Sequence, residues 1–262
     1  YGGRELTHGS DLDLVFVYDT PLDRESDGAK PLMTSAYNIR LSQRLLAALS
    51  AKTAEGALYE IDMRLRPTGN KGPLAIGLDT FEHYYTHDAW IFEHMALTRG
   101  RVVAGPPGLS ARIDETVRSI LTTQRDPEEL LAAVRAMRER TAKQHRSSSP
   151  WEVKHWRGGL LDLEFIAQYL QLREAHRHPA VLDGNTAEAF RRLGAAGVLD
   201  DEEARFLAAA TRIWRNLQGL LRLTVGRDFD PETAPEALKR RLARTGRAVD
   251  FPSLERNIEK MS

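Results

Sequence analysis

The 262-residue sequence contains no cysteine, which excludes disulfides and thiolate metal ligands and suits a cytoplasmic protein. It has no surplus of either charge. Lys plus Arg and Asp plus Glu number 37 each, so no global basic field points to nucleic acid as a partner. No apolar run approaches the roughly 20 residues needed to span a bilayer. No basic-then-apolar leader opens the chain either, so a membrane is not an expected partner. What is present is ordinary: 42% hydrophobic and 28% charged residues, enough to bury a core and solvate a surface. At roughly 150 residues per domain the length predicts two domains. The chain opens on Tyr1-Gly2-Gly3, a turn sequence with nothing ahead of it to turn from, and reads as part of something longer.

The first hundred residues read as mixed α and β. Residues 12–18, LDLVFVY, are β-branched and aromatic between turn formers, the pattern of a buried strand. From Tyr37, apolar residues recur at Leu41, Leu45, Leu46 and Leu49, a 3.6-residue period that predicts an amphipathic helix. Residues 57–66 predict a second strand, stopped by Pro67, and residues 68–72 a turn into a short third strand at PLAIG. Helical patterns follow near residues 79–86 and 89–101. AGPPG, residues 104–108, is the clearest breaker cluster, and the sequence beyond it is helical with almost no strand. Candidate helices lie near 110–123, 127–145, 159–175, 186–196 and 201–225; the acids at Asp200 to Glu203 suit a helix N-terminus. The expected architecture is α+β: a catalytic domain over residues 1–105 and an all-α bundle over 106–262.

Asp11 and Asp13 are two apart in the first strand, so both carboxylates project from one face while Leu12 and Leu14 turn to the core. Two carboxylates about 4 Å apart repel by ~1 kcal/mol in water and ~4 kcal/mol at an effective dielectric near 20. Cations balance such a pair, and an oxygen-only donor set suits Mg²⁺. The second strand repeats the logic with Asp62, Arg64 and Arg66 on one face and Ile61, Met63 and Leu65 on the other. If the strands pair, Asp62 completes a three-carboxylate site as ligand or general base, with Arg64 beside it for an anionic substrate. Upstream, Gly2-Gly3 permits close approach to a phosphate, and Ser10 offers a hydroxyl. An isolated Asp-x-Asp is common at solvated strand ends, and arginines on a wet sheet face often only pair with acids. It is the combination of glycines, Ser-Asp-x-Asp and Asp-x-Arg-x-Arg in one α/β unit that points to chemistry.

Four segments in order, GGRELTHGSDLDLVFVYD, LYEIDMRLRPTGNKGPLA, AWIFEHMALTRGRVVAG and RGGLLDLEFIAQYLQL, resemble the glutamine synthetase adenylyltransferase family from Gly2 to about Phe229. The resemblance implies a polymerase-β-like nucleotidyltransferase domain followed by a helical bundle. It implies Asp11, Asp13 and Asp62 as metal ligands and catalytic acids, Gly2, Gly3 and Ser10 as the phosphate-contacting turn, and Mg²⁺ and ATP as cofactor and substrate. Family members typically carry two catalytic halves, one attaching AMP to a tyrosine of glutamine synthetase and one removing it by phosphorolysis. The SDLDLVF, EHMALTR and LLDLEF wording is more similar to the adenylylating half. The deadenylylating half is the alternative, and a noncatalytic docking module is the alternative of another class. Glutamine and a PII-type signalling protein are the effectors the resemblance implies. Tyr1 and Gly100 stand where the family more usually has Leu and Ala, and the Gly3-to-Asp11 spacing is shorter than in many polymerase-β-like enzymes.

In the helix opened by Gly158-Gly159, Glu164, Gln168 and Gln171 form a polar stripe, while Asp162 falls in an apolar arc and needs a partner such as Lys154 or Arg157. Asp162 and Glu164 are candidates for a supporting role behind the ligands. Lys154, in the polar loop 146–159 where the family resemblance also places a lysine, is a candidate contact for triphosphate. Glu93 and His94 read as helix-packing residues rather than metal ligands, and Trp90, Phe92 and Met95 as core.

Overall fold

The computed structural model describes residues 1–56, 59–226 and 229–261. The chain divides into two compact units. One comprises Tyr1, Gly9–Leu97 and Arg101–Leu121, and the other Gly2–His8, Thr98–Gly100 and Thr122–Ser262. AGPPG is therefore a turn inside the first unit, and the expected boundary at residue 105 falls before a helix that packs with that unit. No helix among the described residues is long and apolar enough to cross a membrane.

In the first unit the expected strand over 12–18 splits in two. β1 (Asp11–Asp13) pairs in parallel with β3 (Glu60–Asp62), and β2 (Phe16–Tyr18) pairs in parallel with β4 (Ala75–Gly77). The Leu14 amide still donates to the Asp62 carbonyl at 2.9 Å, so the change of partner falls at Leu14-Val15. Of the second expected strand, Ala57 and Leu58 lie outside the described residues. That strand ends at Asp62 rather than Arg66. The chain turns at once, with the Arg66 amide on the Met63 carbonyl, and Thr68 and Gly69 take left-handed φ of 59° and 55°.

Among the described residues four α-helices complete this unit: α1 (Thr34–Leu49), α2 (Leu78–His87), α3 (Ile91–Leu97) and α4 (Pro107–Leu121). Their core gathers Ile76, Leu78, Phe81, Tyr85 and Ile120, with Leu109, Ile113 and Val117 of α4 packed against it. That apolar face is what holds α4 to the rest of the unit, chiefly to α2.

Two expectations are corrected here. The helix α1 forms, but its apolar stripe is not the buried side: Leu41, Leu45 and Leu49 are exposed while Thr34 and Ser42 are buried. The buried hydroxyls are satisfied locally, Thr34 donating to the Pro21 carbonyl at 2.7 Å and Ser42 to Asn38 at 2.9 Å, so polar residues can face inward. Likewise only Met95 of the expected Trp90, Phe92 and Met95 core is buried. Glu93 and His94 do pack. Glu93 accepts from the Trp90 amide at 2.9 Å and the Tyr84 hydroxyl at 2.8 Å, capping α3, and His94 Nε2 lies 2.7 Å from the Tyr85 carbonyl.

The second unit is helical: α5 (Pro127–Gln144), α6 (Leu160–Glu174), α7 (Thr186–Ala195), α8 (Asp201–Thr224), α9 (Glu236–Thr245) and α10 (Phe251–Lys260). The starts follow from sequence. Asp126, Asn185, Asp200 and Asp250 each accept from an amide in the first turn, and Pro127 and Pro252 follow their caps where no amide is needed. Phe190, Leu193, Trp214, Leu217, Leu242 and Leu254 are fully buried at the centre of this bundle.

Candidate active site

The first unit brings together Asp11, Asp13, Asp62 and Arg64. In the β1–β3 register Asp13 stands opposite Asp62 and Asp11 opposite Glu60. Alternation along β1 leaves Asp11 and Asp13 exposed and Leu12 and Leu14 half-buried, the pleat expected of one wet and one packed face. Ser10 precedes β1 directly.

The charges are unevenly compensated. Partial burial, then Asp62 and Asp11, push the Asp13 carboxyl above the usual carboxylate range. Asp62 is held below that range, chiefly by hydrogen bonds from Arg64. The Arg64 amide donates to Asp62 Oδ1 at 2.8 Å, its Nε to Oδ2 at 2.7 Å, and its Nη2 also pairs with Oδ2. Arg64 thus takes both oxygens of the third acid while remaining 73% exposed itself. Among the described residues, no three acid or histidine side chains converge as ligands of one ion. Both oxygens of Asp62 are engaged by Arg64. The chemistry of the donors is nonetheless what a hard divalent cation takes, carboxylate oxygens only, with the charges of Asp62 and Asp11 adding to the upward push on Asp13.

Arg66 does not share this face. It is buried and donates from Nη1 to the Met63 carbonyl at 2.6 Å and from Nε to Gly72 at 3.3 Å, bracing the turn after β3.

The remaining candidates lie in the helical unit. Gly3 is buried, and a Cβ there would meet the Gly184 carbonyl oxygen at 2.3 Å, while its own carbonyl accepts from Asn185 Nδ2 at 3.1 Å. Close backbone packing therefore already requires glycine at this position; Gly2 precedes it in the same segment. Lys154 is exposed in the turn leading into α6, its carbonyl accepting from the Leu161 amide at 3.1 Å. Asp162 does have a partner, but the partner is Arg138 of α5 rather than Lys154 or Arg157. Arg138 engages both carboxylate oxygens, and the Gly158 amide adds a bond of 2.8 Å. A partner 24 residues upstream is invisible to local spacing.

Glu164 belongs to a charge cluster that sequence reading missed. Glu5 is 4% exposed and accepts from Arg99 Nη2 at 2.9 Å and from Thr186 Oγ1 at 3.2 Å. Arg215 Nε lies 2.8 Å from Glu5 Oε1, out of line for a hydrogen bond, so that contact is ionic. Arg99 and Arg215 also reach Glu164 Oε1, at 2.7 Å each. Burial pushes the Glu164 carboxyl up, but the two arginines outweigh it and hold the group below its ordinary range. The polar stripe of α6 therefore faces inward: Gln168 and Gln171 are buried too, and Gln171 accepts from the Asp183 amide at 2.8 Å. The signal available was that Glu5 and Arg99 both sit inside the quoted motifs GGREL and ALTRGR.

An α+β unit bearing paired acids at parallel strand ends, followed by a capped helical bundle, matches adenylyltransferases in sequence. Residues 1–116 match the family model described as glutamate-ammonia ligase adenylyltransferase, and residues 128–249 that described as GlnD PII-uridylyltransferase. The chain is 44% identical over 260 residues to the bifunctional glutamine synthetase adenylyltransferase/adenylyl-removing enzyme of Bradyrhizobium diazoefficiens, covering 99% of this chain and 26% of that protein. It is 42% identical, with the same coverage, to the protein of the same description from Rhodopseudomonas palustris. Over 99% of its length the chain is similar to these bifunctional glutamine synthetase adenylyltransferases, and it spans about a quarter of their length.

Proposed function

We propose that this chain is a metal-dependent nucleotidyltransferase of polymerase-β-like fold that transfers AMP from MgATP to a tyrosine hydroxyl of glutamine synthetase. The observation that carries the reading is the register placing Asp13 opposite Asp62, with Asp11 on the same face as Asp13. In the transfer, the phenolic oxygen bonds to the α-phosphorus of ATP, the bond from that phosphorus to its bridging oxygen breaks, and pyrophosphate leaves. Magnesium bound by Asp11, Asp13 and Asp62 would neutralise the triphosphate and stabilise charge on the attacking and leaving oxygens. A tyrosine hydroxyl has a pKa of about 10 and needs help to ionise at neutral pH. Asp62 serves as the proton acceptor once Arg64 moves off it, and Arg64 then presents its guanidinium to a phosphate. Ser10, Gly2, Gly3 and Lys154 are the proposed remaining phosphate contacts, and Asp162 and Glu164 the proposed supporting residues. Glutamine and a PII-type signalling protein are the proposed effectors.

The test is label transfer. The chain incubated with α-labelled ATP, Mg²⁺ and glutamine synthetase should label the synthetase, and Asp11→Asn should lower the rate by about two orders of magnitude or more. Equal labelling by both proteins would refute the proposal. The names of the relatives carry a second activity, so adenylyl removal is the second reading. There an orthophosphate oxygen bonds to the same phosphorus, the tyrosine O–P bond breaks, and ADP is released from modified synthetase.

A further inference from the structure

Tyr37, Leu41, Leu45 and Leu49 recur every fourth residue along α1 and are 46%, 43%, 43% and 52% exposed. The thirteen residues from Tyr37 to Leu49 carry this ridge over ~18 Å. The helix is not loosely placed, because Thr34 and Ser42 are buried at 4% and 3% and Thr34 is bonded to the carbonyls of both Pro21 and Arg24. A fixed helix that buries hydroxyls and presents leucines to solvent runs against the ordinary ordering of a surface helix, and such patches mark interaction sites.

The flanking charge is of one sign. Between Gly28 and Ala54 the charged residues are Lys30, Arg40, Arg44 and Lys52, with no acid among them. Arg40 and Arg44 each precede a ridge leucine and so line one flank of it, exposed, and among the described residues neither has an ion-pair partner. We infer that the exposed ridge of α1 docks an amphipathic helix of a partner protein whose own apolar ridge is flanked by Asp or Glu. Three leucines and a tyrosine at four-residue spacing form the ridge that interdigitates with the grooves of a second helix, and acids beside it would meet Arg40 and Arg44. A second copy of this chain would bring arginines against arginines. A lipid surface would call for a denser basic face and more aromatic anchors than Tyr37 alone.

The probe is a labelled 18-residue helix-forming peptide with leucines every fourth position and flanking glutamates, compared with the same peptide carrying lysines, titrated with the whole chain by fluorescence anisotropy at low salt. The glutamate peptide should bind about tenfold or more tighter than the lysine peptide. Leu41→Asp with Leu45→Asp should abolish binding, and Arg40→Glu with Arg44→Glu should reverse the preference. The arginine pair is exposed, so its variant keeps the test decisive if the leucine variant fails to fold. Equal binding of both peptides overturns the inference. So does a dimer in sedimentation velocity that Leu45→Asp dissociates, which would make the occupant a second copy, or capture by phosphatidylserine vesicles that the same variant removes.

Discussion

Replacing Glu5 with glutamine removes one charge and almost no volume from the segment that precedes β1. In the native cluster two carboxylates, Glu5 and Glu164, face two guanidinium groups, Arg99 and Arg215. The variant leaves two cations sharing the single carboxylate of Glu164. Breaking a buried pair by removing one partner costs about 3–5 kcal/mol, most of it the penalty of the charge left behind. Arg99 and Arg215 are 27% and 16% exposed, so water recovers part of that. The glutamine also keeps an oxygen for Thr186. A loss of about 2–3 kcal/mol is therefore expected, and at roughly 2–4 °C per kcal/mol it lowers the melting temperature by about 5–10 °C. Because the chain has two units, hydrogen exchange resolved to the Thr186 amide is the better assay; that amide, 3.3 Å from Glu5 Oε1, should lose protection by the same free energy. Adding Arg215→Met should return part of the stability by removing the unpaired cation. Exchange at Thr186 within about 0.5 kcal/mol of the parent would refute the reasoning that this cluster is held by charge.

Two further outcomes follow from the site and its approach. Asp13 and Asp62 should titrate on opposite sides of the ordinary aspartate value in carboxyl NMR, Asp13 above and Asp62 below. Asp13, whose folded value is raised, disfavours the folded state at neutral pH, and this is relieved as pH falls through that value. Asp62, whose folded value is depressed, stabilises above its unfolded value, and that contribution is lost as pH falls through the folded one. Asp13→Asn should accordingly stabilise the metal-free protein by about 0.5 kcal/mol, discounted for its exposure, while weakening Mg²⁺ binding in calorimetry; a destabilised variant would contradict this. Gly3→Ala should destabilise by about 2 kcal/mol in urea denaturation, because its Cβ would meet the backbone oxygen of Gly184 at 2.3 Å rather than a movable side chain. A neutral substitution there would show that the approach is not tight.

The arrangement of the candidate acids was legible in sequence because strand geometry is local. A two-residue period fixes the face of Asp11 and Asp13 whatever surrounds them, and the observed alternation of exposure along β1 is that period. Period alone failed one step further on: Arg66 obeys it in sequence, but the chain leaves the strand at Asp62 and folds Arg66 under the turn. The α1 stripe is the same lesson for helices. Spacing locates the apolar face of α1 but not the direction in which it points, and here the helix turns Thr34 and Ser42 inward.

By itself the sequence determined most element types, the acidic start of α8 at Asp200 and the acid pair, since each depends on residues near one another in the chain. Tertiary structure alone decided that Asp62 stands opposite Asp13 yet is held by Arg64, that Asp162 is neutralised by Arg138, and that Arg99, Glu164 and Arg215 gather around the buried Glu5. Apart from the local Asp62–Arg64 pair, these join charges across long sequence separations. Coulomb energy and desolvation depend on distance and burial in space, and neither can be read from spacing along a chain.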